Sequence, residues 1–228
     1  MRYILILTIG LAACTTAYGR LWPPPSVAVS AQAVCPAQFG PFEGTCEFQF
    51  GELRVAVDGN GNGTIYVDSR SASTFSLPLE DGHLEKLYYL DYGGDLLLIF
   101  GASDGDSGWG GAVRLAPHDA STRWFQKIPA FNIGPAMLER GALYVTGIGF
   151  VARVDATSGI FVWKHEGLYC EGDGAFNAFD APRLTPTEAW FEETTFVARP
   201  LRAIRVKKSD GHPLLSLTDR CSGPVTER

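Results

Sequence analysis

Gly141-Ala142-Leu143-Tyr144-Val145-Thr146, followed by Phe150-Val151-Ala152-Arg153-Val154-Asp155-Ala156-Thr157-Ser158-Gly159-Ile160-Phe161-Val162-Trp163-Lys164, is the stretch that decides the fold. Three short runs rich in Val, Phe, Tyr and Ile follow one another, which suits pleated strands. A glycine-bearing turn separates the first two. An Asp-x-x-x-Gly turn separates the second from the third, with Gly159 free to take the positive φ such a turn needs. The last run ends in tryptophan.

Outward from this unit the same grammar continues. Short apolar runs occur at Leu53 to Val57, Thr64 to Val67, Leu87 to Tyr92, Leu96 to Phe100, Ala112 to Leu115, Arg123 to Ile128, Glu188 to Phe191, Ala203 to Val206 and Leu214 to Leu217. Glycine-rich turns break them every ~8 to 12 residues, and no stretch holds a helical period for three turns, so the spacing predicts an all-β sandwich, barrel or propeller. Two segments echo the deciding unit. Asp95 to Phe125 has an Asp119-containing turn and then Trp124; Glu188 to Leu217 has Lys207-Lys208-Ser209-Asp210-Gly211, with Leu215 in the tryptophan place and Lys207 where the first unit has Asp155. Phe48 to Leu79 supplies a fourth, degenerate unit.

The Gly141 to Lys164 unit resembles the repeat of pyrroloquinoline-quinone-type (quinoprotein-like) β-propellers. The resemblance implies that Asp155 ends the third strand of a blade, that Gly159 takes the left-handed turn position, and that Trp124 and Trp163 pack between neighbouring blades. The expected fold is therefore a small or partial propeller-like array of three to four antiparallel meander units. Quinone-dependent enzymes of this type close about seven or eight blades around their cofactor. Three or four units do not build that centre, so only the architecture carries over, with no cofactor and no catalytic residue.

The leader sets the location. Met1-Arg2 supplies one positive charge, and Tyr3 to Ala13 is apolar over about a dozen residues, the length of a signal h-region and short of a membrane span. It closes on Leu11-Ala12-Ala13-Cys14, which resembles a bacterial lipobox. The expected organisation is a lipoprotein signal peptide at 1–13, a lipidated Cys14 and Pro-rich tether over 14–34, a propeller-like domain over 35–221 and a tail at 222–228. The tether carries Pro23-Pro24-Pro25, which favours extended structure. No Asp follows Cys14, which by analogy with enteric sorting points to the outer membrane, facing the periplasm. Ordinary secretory cleavage after Ala17-Tyr18-Gly19 is the alternative, and it would discard Cys14.

Five cysteines become an even set once Cys14 is lipidated or removed. Cys35, Cys46, Cys170 and Cys221 are then candidates for two disulfides in an oxidising compartment; of three possible connectivities, Cys35 with Cys46 and Cys170 with Cys221 demands least. The second bridge would close a loop of about 50 residues and contribute ~4 kcal/mol. No two cysteines have the short spacing of a zinc site.

The chain is 46% hydrophobic and 19% charged, with a net charge of −6 and a pI near 5.2. That is ample for one core, and the acidic balance argues against nucleic acid or an anionic membrane surface as partner.

Candidate chemistry is sparse. Asp58-Gly59-Asn60-Gly61-Asn62-Gly63-Thr64-Ile65 has the oxygen spacing that opens an EF-hand-type calcium loop, with Asp68 one residue before the twelfth position. Asp58, Asn60, Asn62 and Asp68 are thus candidate calcium ligands, while the same Asn-Gly repeats suit a tight hairpin turn. Asp104 to Gly108 carries the same ambiguity. His83, His118, His165 and His212 are scattered, and Ser107 lacks the Gly-x-Ser-x-Gly context of a nucleophile elbow. Glu166, Glu171, Asp173 and Asp180 form an acidic, glycine-rich stretch around Cys170, suited to a surface loop. Two functional readings follow: a lipid-anchored envelope interaction or scaffold module that binds another envelope protein, and, as alternative, an envelope hydrolase, redox enzyme or glycan-binding protein using a loop-lined face.

Overall fold

The computed structural model describes residues 28–34, 44–105, 107–168, 178–194 and 203–214. All regular elements among them are strands. The first two are short, β1 (Val29–Ser30) and β2 (Gln32–Ala33). A first sheet follows as the meander β3 (Thr45–Phe50), β4 (Leu53–Asp58), β5 (Asn62–Val67) and β6 (Arg70–Ser76). The second sheet is β7 (His83–Tyr92), β8 (Asp95–Ser103), β9 (Gly108–Ala116) and β10 (Ser121–Ile128), with β2 added antiparallel to β7. The third is β11 (Met137–Glu139), β12 (Ala142–Gly147), β13 (Phe150–Asp155) and β14 (Phe161–His165), with β1 added to β11. The fourth holds β15 (Arg183–Leu184), β16 (Glu188–Glu192) and β17 (Ala203–Lys207), and Pro213 bridges back to Val206.

Burial explains why the sheets stack in chain order. Along β8 every residue after Asp95 is buried, because Leu96, Leu98 and Phe100 join the core shared with the first sheet while Leu97 and Ile99 join the core shared with the third. A strand covered on both faces reads as a continuous apolar run, and β12 is another, with Leu143 and Val145 in one core and Ala142 and Tyr144 in the next. The terminal sheets alternate instead. In β16, Ala189 and Phe191 are buried against the third sheet, and Glu188, Trp190 and Glu192 lie on the other face. Three cores therefore join sheets one to two, two to three and three to four; among the described residues none joins the fourth to the first.

Both terminal faces carry the same polar finish. Arg54 lies 4.1 Å over the Tyr66 ring and pairs with Glu47; Arg205 lies 4.2 Å over Trp190 and pairs with Glu188. Polar outer faces of this kind end a stacked array in solvent.

One expectation is corrected: the tether does not run free to residue 34, since the main chain of Val29–Ala33 pairs antiparallel with β11 and β7. The first unit, whose sequence echoes the repeat least, is a complete four-stranded meander. Its β3 and β6 escape a sequence pattern search because β6 is largely exposed and carries Ser, Thr and Arg.

Candidate functional site

The junctions between sheets hold most of the polar chemistry. Trp124 Nε1 donates to the Ala156 carbonyl at 3.0 Å, and Trp163 Nε1 donates to the Lys208 carbonyl at 3.1 Å. Each indole thus docks on the turn of the following sheet. That close approach explains two glycines: a Cβ on Gly159 (φ 76) would meet Trp124 at 2.6 Å, and one on Gly211 (φ 73) would meet Trp163 at 2.6 Å.

An arginine accompanies each tryptophan, and sequence reasoning missed it. Arg114 sits opposite Trp124 and Arg153 opposite Trp163 in the registers of β9 with β10 and β13 with β14. Arg153 Nη1 donates to the Lys208 carbonyl at 2.6 Å, beside the indole; Arg114 Nη1 lies 3.5 Å from the Ala156 and Thr157 carbonyls, its Nε held 2.7 Å from Asp95. The available signal is the recurring arginine in the third strand of the last three units, Arg114, Arg153 and Arg205. In the last unit Arg205 turns to Glu188 and Trp190 instead. The first sheet has neither partner: Ile65 and Ser73 stand opposite one another at the matching register, and the buried Ser73 hydroxyl has no hydrogen-bond partner.

Carboxylates tie the turns. Asp155 accepts from the Thr157 and Ser158 amides, Asp119 from that of Ser121, and Asp210 from that of His212. The Ser158 amide above all holds the Asp155 carboxyl below its ordinary 3.8, and the amides of Ser121 and His212 do the same for Asp119 and Asp210. Depressed values in the folded state mean stability present above pH ~4 and lost as pH falls through the folded pKa. Acid titration of the unfolding midpoint should show this loss below pH ~4, with a shallower slope in Asp155→Asn; identical slopes would refute the role of Asp155.

The four candidate calcium ligands do not converge. Asp58 Oδ1 accepts from the Asn60 and Asn62 amides and Oδ2 from the Asn62 side chain, so its carboxylate is engaged within the β4–β5 turn. Asp68 lies beyond the far end of β5, roughly 17 to 20 Å away at strand rise. There Asp68 (φ 49) and Ser69 (φ 65) form the two-residue turn into β6. The hairpin separates the residues that sequence spacing brings together. Asp104 likewise binds the Ser107 amide and hydroxyl within its own turn. Among the described residues no group of three His, Cys, Asp or Glu side chains is placed to hold a metal.

The first strands of the first three meanders, β3, β7 and β11, are linked along one edge, the rim. Phe48 of β3 stacks on Tyr89 of β7 with centroids 4.4 Å apart, and the Tyr89 hydroxyl donates to Gln32 of β2. Burial, then the charge of Asp180, pushes the neighbouring Tyr88 phenol up to about 12. Of the histidines, His165 lies within 2.8 Å of the Gly211 carbonyl and beside the Trp163 ring, and His118 is exposed beside Asp119. Cys46 is disulfide-bonded and buried. Cys14, Cys35, Cys170 and Cys221 lie outside the described residues, as do the leader and the tail.

Four antiparallel sheets stacked in chain order define an all-β, propeller-like array. No protein-family model and no curated protein sequence matches the chain. Among solved structures it is similar to BamB from Moraxella catarrhalis, at 14% identity and a TM-score of 0.49, over 83% of this chain and 51% of that one. It is similar to a europium-containing methanol dehydrogenase at 13% identity and a TM-score of 0.37, over 54% of this chain and 23% of that one. The WD40 β-propeller domain of Doa1 matches at 10% identity and a TM-score of 0.37, over 74% and 50%. The chain spans about half the length of the first of these and less than two thirds of the others.

Proposed function

We propose that this chain is an interaction module of the bacterial cell envelope, attached to the membrane through a lipid on Cys14 and binding another envelope protein through sheet edges and loops. The observation that carries this reading is the rim: the first-strand edges of the second and third sheets accept an extended segment, here the chain's own Val29–Ala33. The junction charges are likewise engaged: Lys208 pairs with Glu139 between the fourth and third sheets, and Asp95 holds Arg114 within the second sheet where it faces the Ala156 and Thr157 carbonyls of the third. Leu11 to Cys14 supports the anchor, and Thr15 after the cysteine supports an outer-membrane, periplasm-facing destination.

Labelled palmitate should enter the wild-type protein and be absent from Cys14→Ser; equal labelling of both removes the anchor. Photo-crosslinkers placed at Gln32 and Glu47, on the rim, should yield a discrete adduct with an envelope protein that a probe at the exposed Glu192, in the central strand β16 of the fourth sheet, does not. Equal adducts from all three sites, or none from the rim, would overturn the interaction reading.

A further inference from the structure

We propose that Val29–Val34 is a placeholder on a strand-binding edge, and that the partner engages β7 and β11 by laying an extended segment with a small central residue where this strap now sits. The proposal rests on the interaction reading above and names its binding mode. The strap shows what the edge accepts: antiparallel backbone, with Val29 and Ser30 opposite Leu138 and Met137, and Gln32 and Ala33 opposite Tyr89 and Tyr88. Two further amides complete the match, Ala31 to the Ala136 carbonyl at 2.8 Å and Val34 to the Leu87 carbonyl at 2.9 Å. One short segment therefore reads the edges of two sheets in succession.

Its hold is slight. Each half pairs over two residues, whereas β7 pairs with β8 over nine residues with one bulge between Leu84 and Lys86, and β12 with β13 over six without a break. Val29, Ser30, Gln32 and Ala33 are exposed; Ala31 is buried, at 8%, between the second and third sheets, and Val34 is half-buried against the core of the first and second. Affinity at such an edge comes from main-chain hydrogen bonds and selectivity from the few buried side chains, which here asks for one small residue at the crossing point. Segments with few buried contacts open at low cost, so a competing strand meets a replaceable occupant.

The test uses the full chain and a fluorescent peptide, Ala-Val-Ser-Ala-Gln-Ala-Val, copied from residues 28–34. Ala31→Pro removes the donor to Ala136, and Val34→Pro the donor to Leu87. Both variants should bind the peptide at least tenfold more tightly than wild type. In wild type, the Ala31 and Val34 amides should exchange hydrogen at least tenfold faster than those of β8. Equal peptide binding by wild type and variants, or none by folded variants, overturns the proposal. Where a variant does not fold, the exchange measurement decides: amides as protected as those of β8 make the strap part of the core and end the proposal. A rim adduct without peptide binding leaves the interaction reading standing and this one refuted; peptide binding without an adduct shows a replaceable strap but removes the interaction reading and, with it, the partner this proposal needs.

Discussion

Trp163→Ala is expected to lower the unfolding free energy by about 3 to 5 kcal/mol, measured by denaturant titration. The indole is 7% exposed and packs against Tyr144 and, edge-on at 6.2 Å, against Phe191 of the fourth sheet. Its removal opens a cavity at the only core joining the third and fourth sheets among the described residues, and it leaves the Lys208 carbonyl to Arg153 alone. Trp163→Phe should recover most of the packing but not the indole hydrogen bond, so the difference between the variants reports that bond, about 1 kcal/mol. Ser73→Ala is the internal contrast, because Ser73 stands at the matching place of the first sheet with a buried, unpartnered hydroxyl. Removing a polar group that makes no bond should be neutral or stabilising. A loss below 1 kcal/mol for Trp163→Ala would refute the latch.

How much of this was legible follows from where each partner atom resides. The central strands β8 and β12 announce themselves because two-sided burial writes long apolar runs, and Trp124, Trp163 and Gly159 stand at visible, repeated places. The arginines do not, since Arg114 and Arg153 bond to backbone carbonyls of the next unit, and a carbonyl leaves no mark in a sequence. The strap is hidden for a related reason. Its pairing is main chain to main chain, and small residues beside a proline run look like a linker. Asp58 and Asp68 show the opposite error. Residue spacing suited to a tight loop becomes a full strand length once Asn62 to Val67 is extended, so apparent ligands part company.

Lys208 is the second position where a single change should be felt strongly. Its side chain and that of Glu139 are each 14% exposed and ion-paired, and its ammonium also donates to the Thr185 carbonyl at 2.8 Å. Its own carbonyl receives Trp163 and Arg153, so the residue ties β11, β13, β14 and the start of the fourth sheet at one point. Lys208→Met keeps the aliphatic stem and the backbone acceptor but strands the Glu139 carboxylate. Breaking a buried pair costs about 3 to 5 kcal/mol, and the residual exposure here reduces that to about 2 to 3. Adding Glu139→Leu should restore much of the loss, because an apolar pair removes the uncompensated charge. Denaturant midpoints of the two single variants and the double variant close the cycle. A double variant as unstable as the sum of its singles would show that Lys208 and Glu139 act independently, and that the junction depends on the carbonyl latch alone.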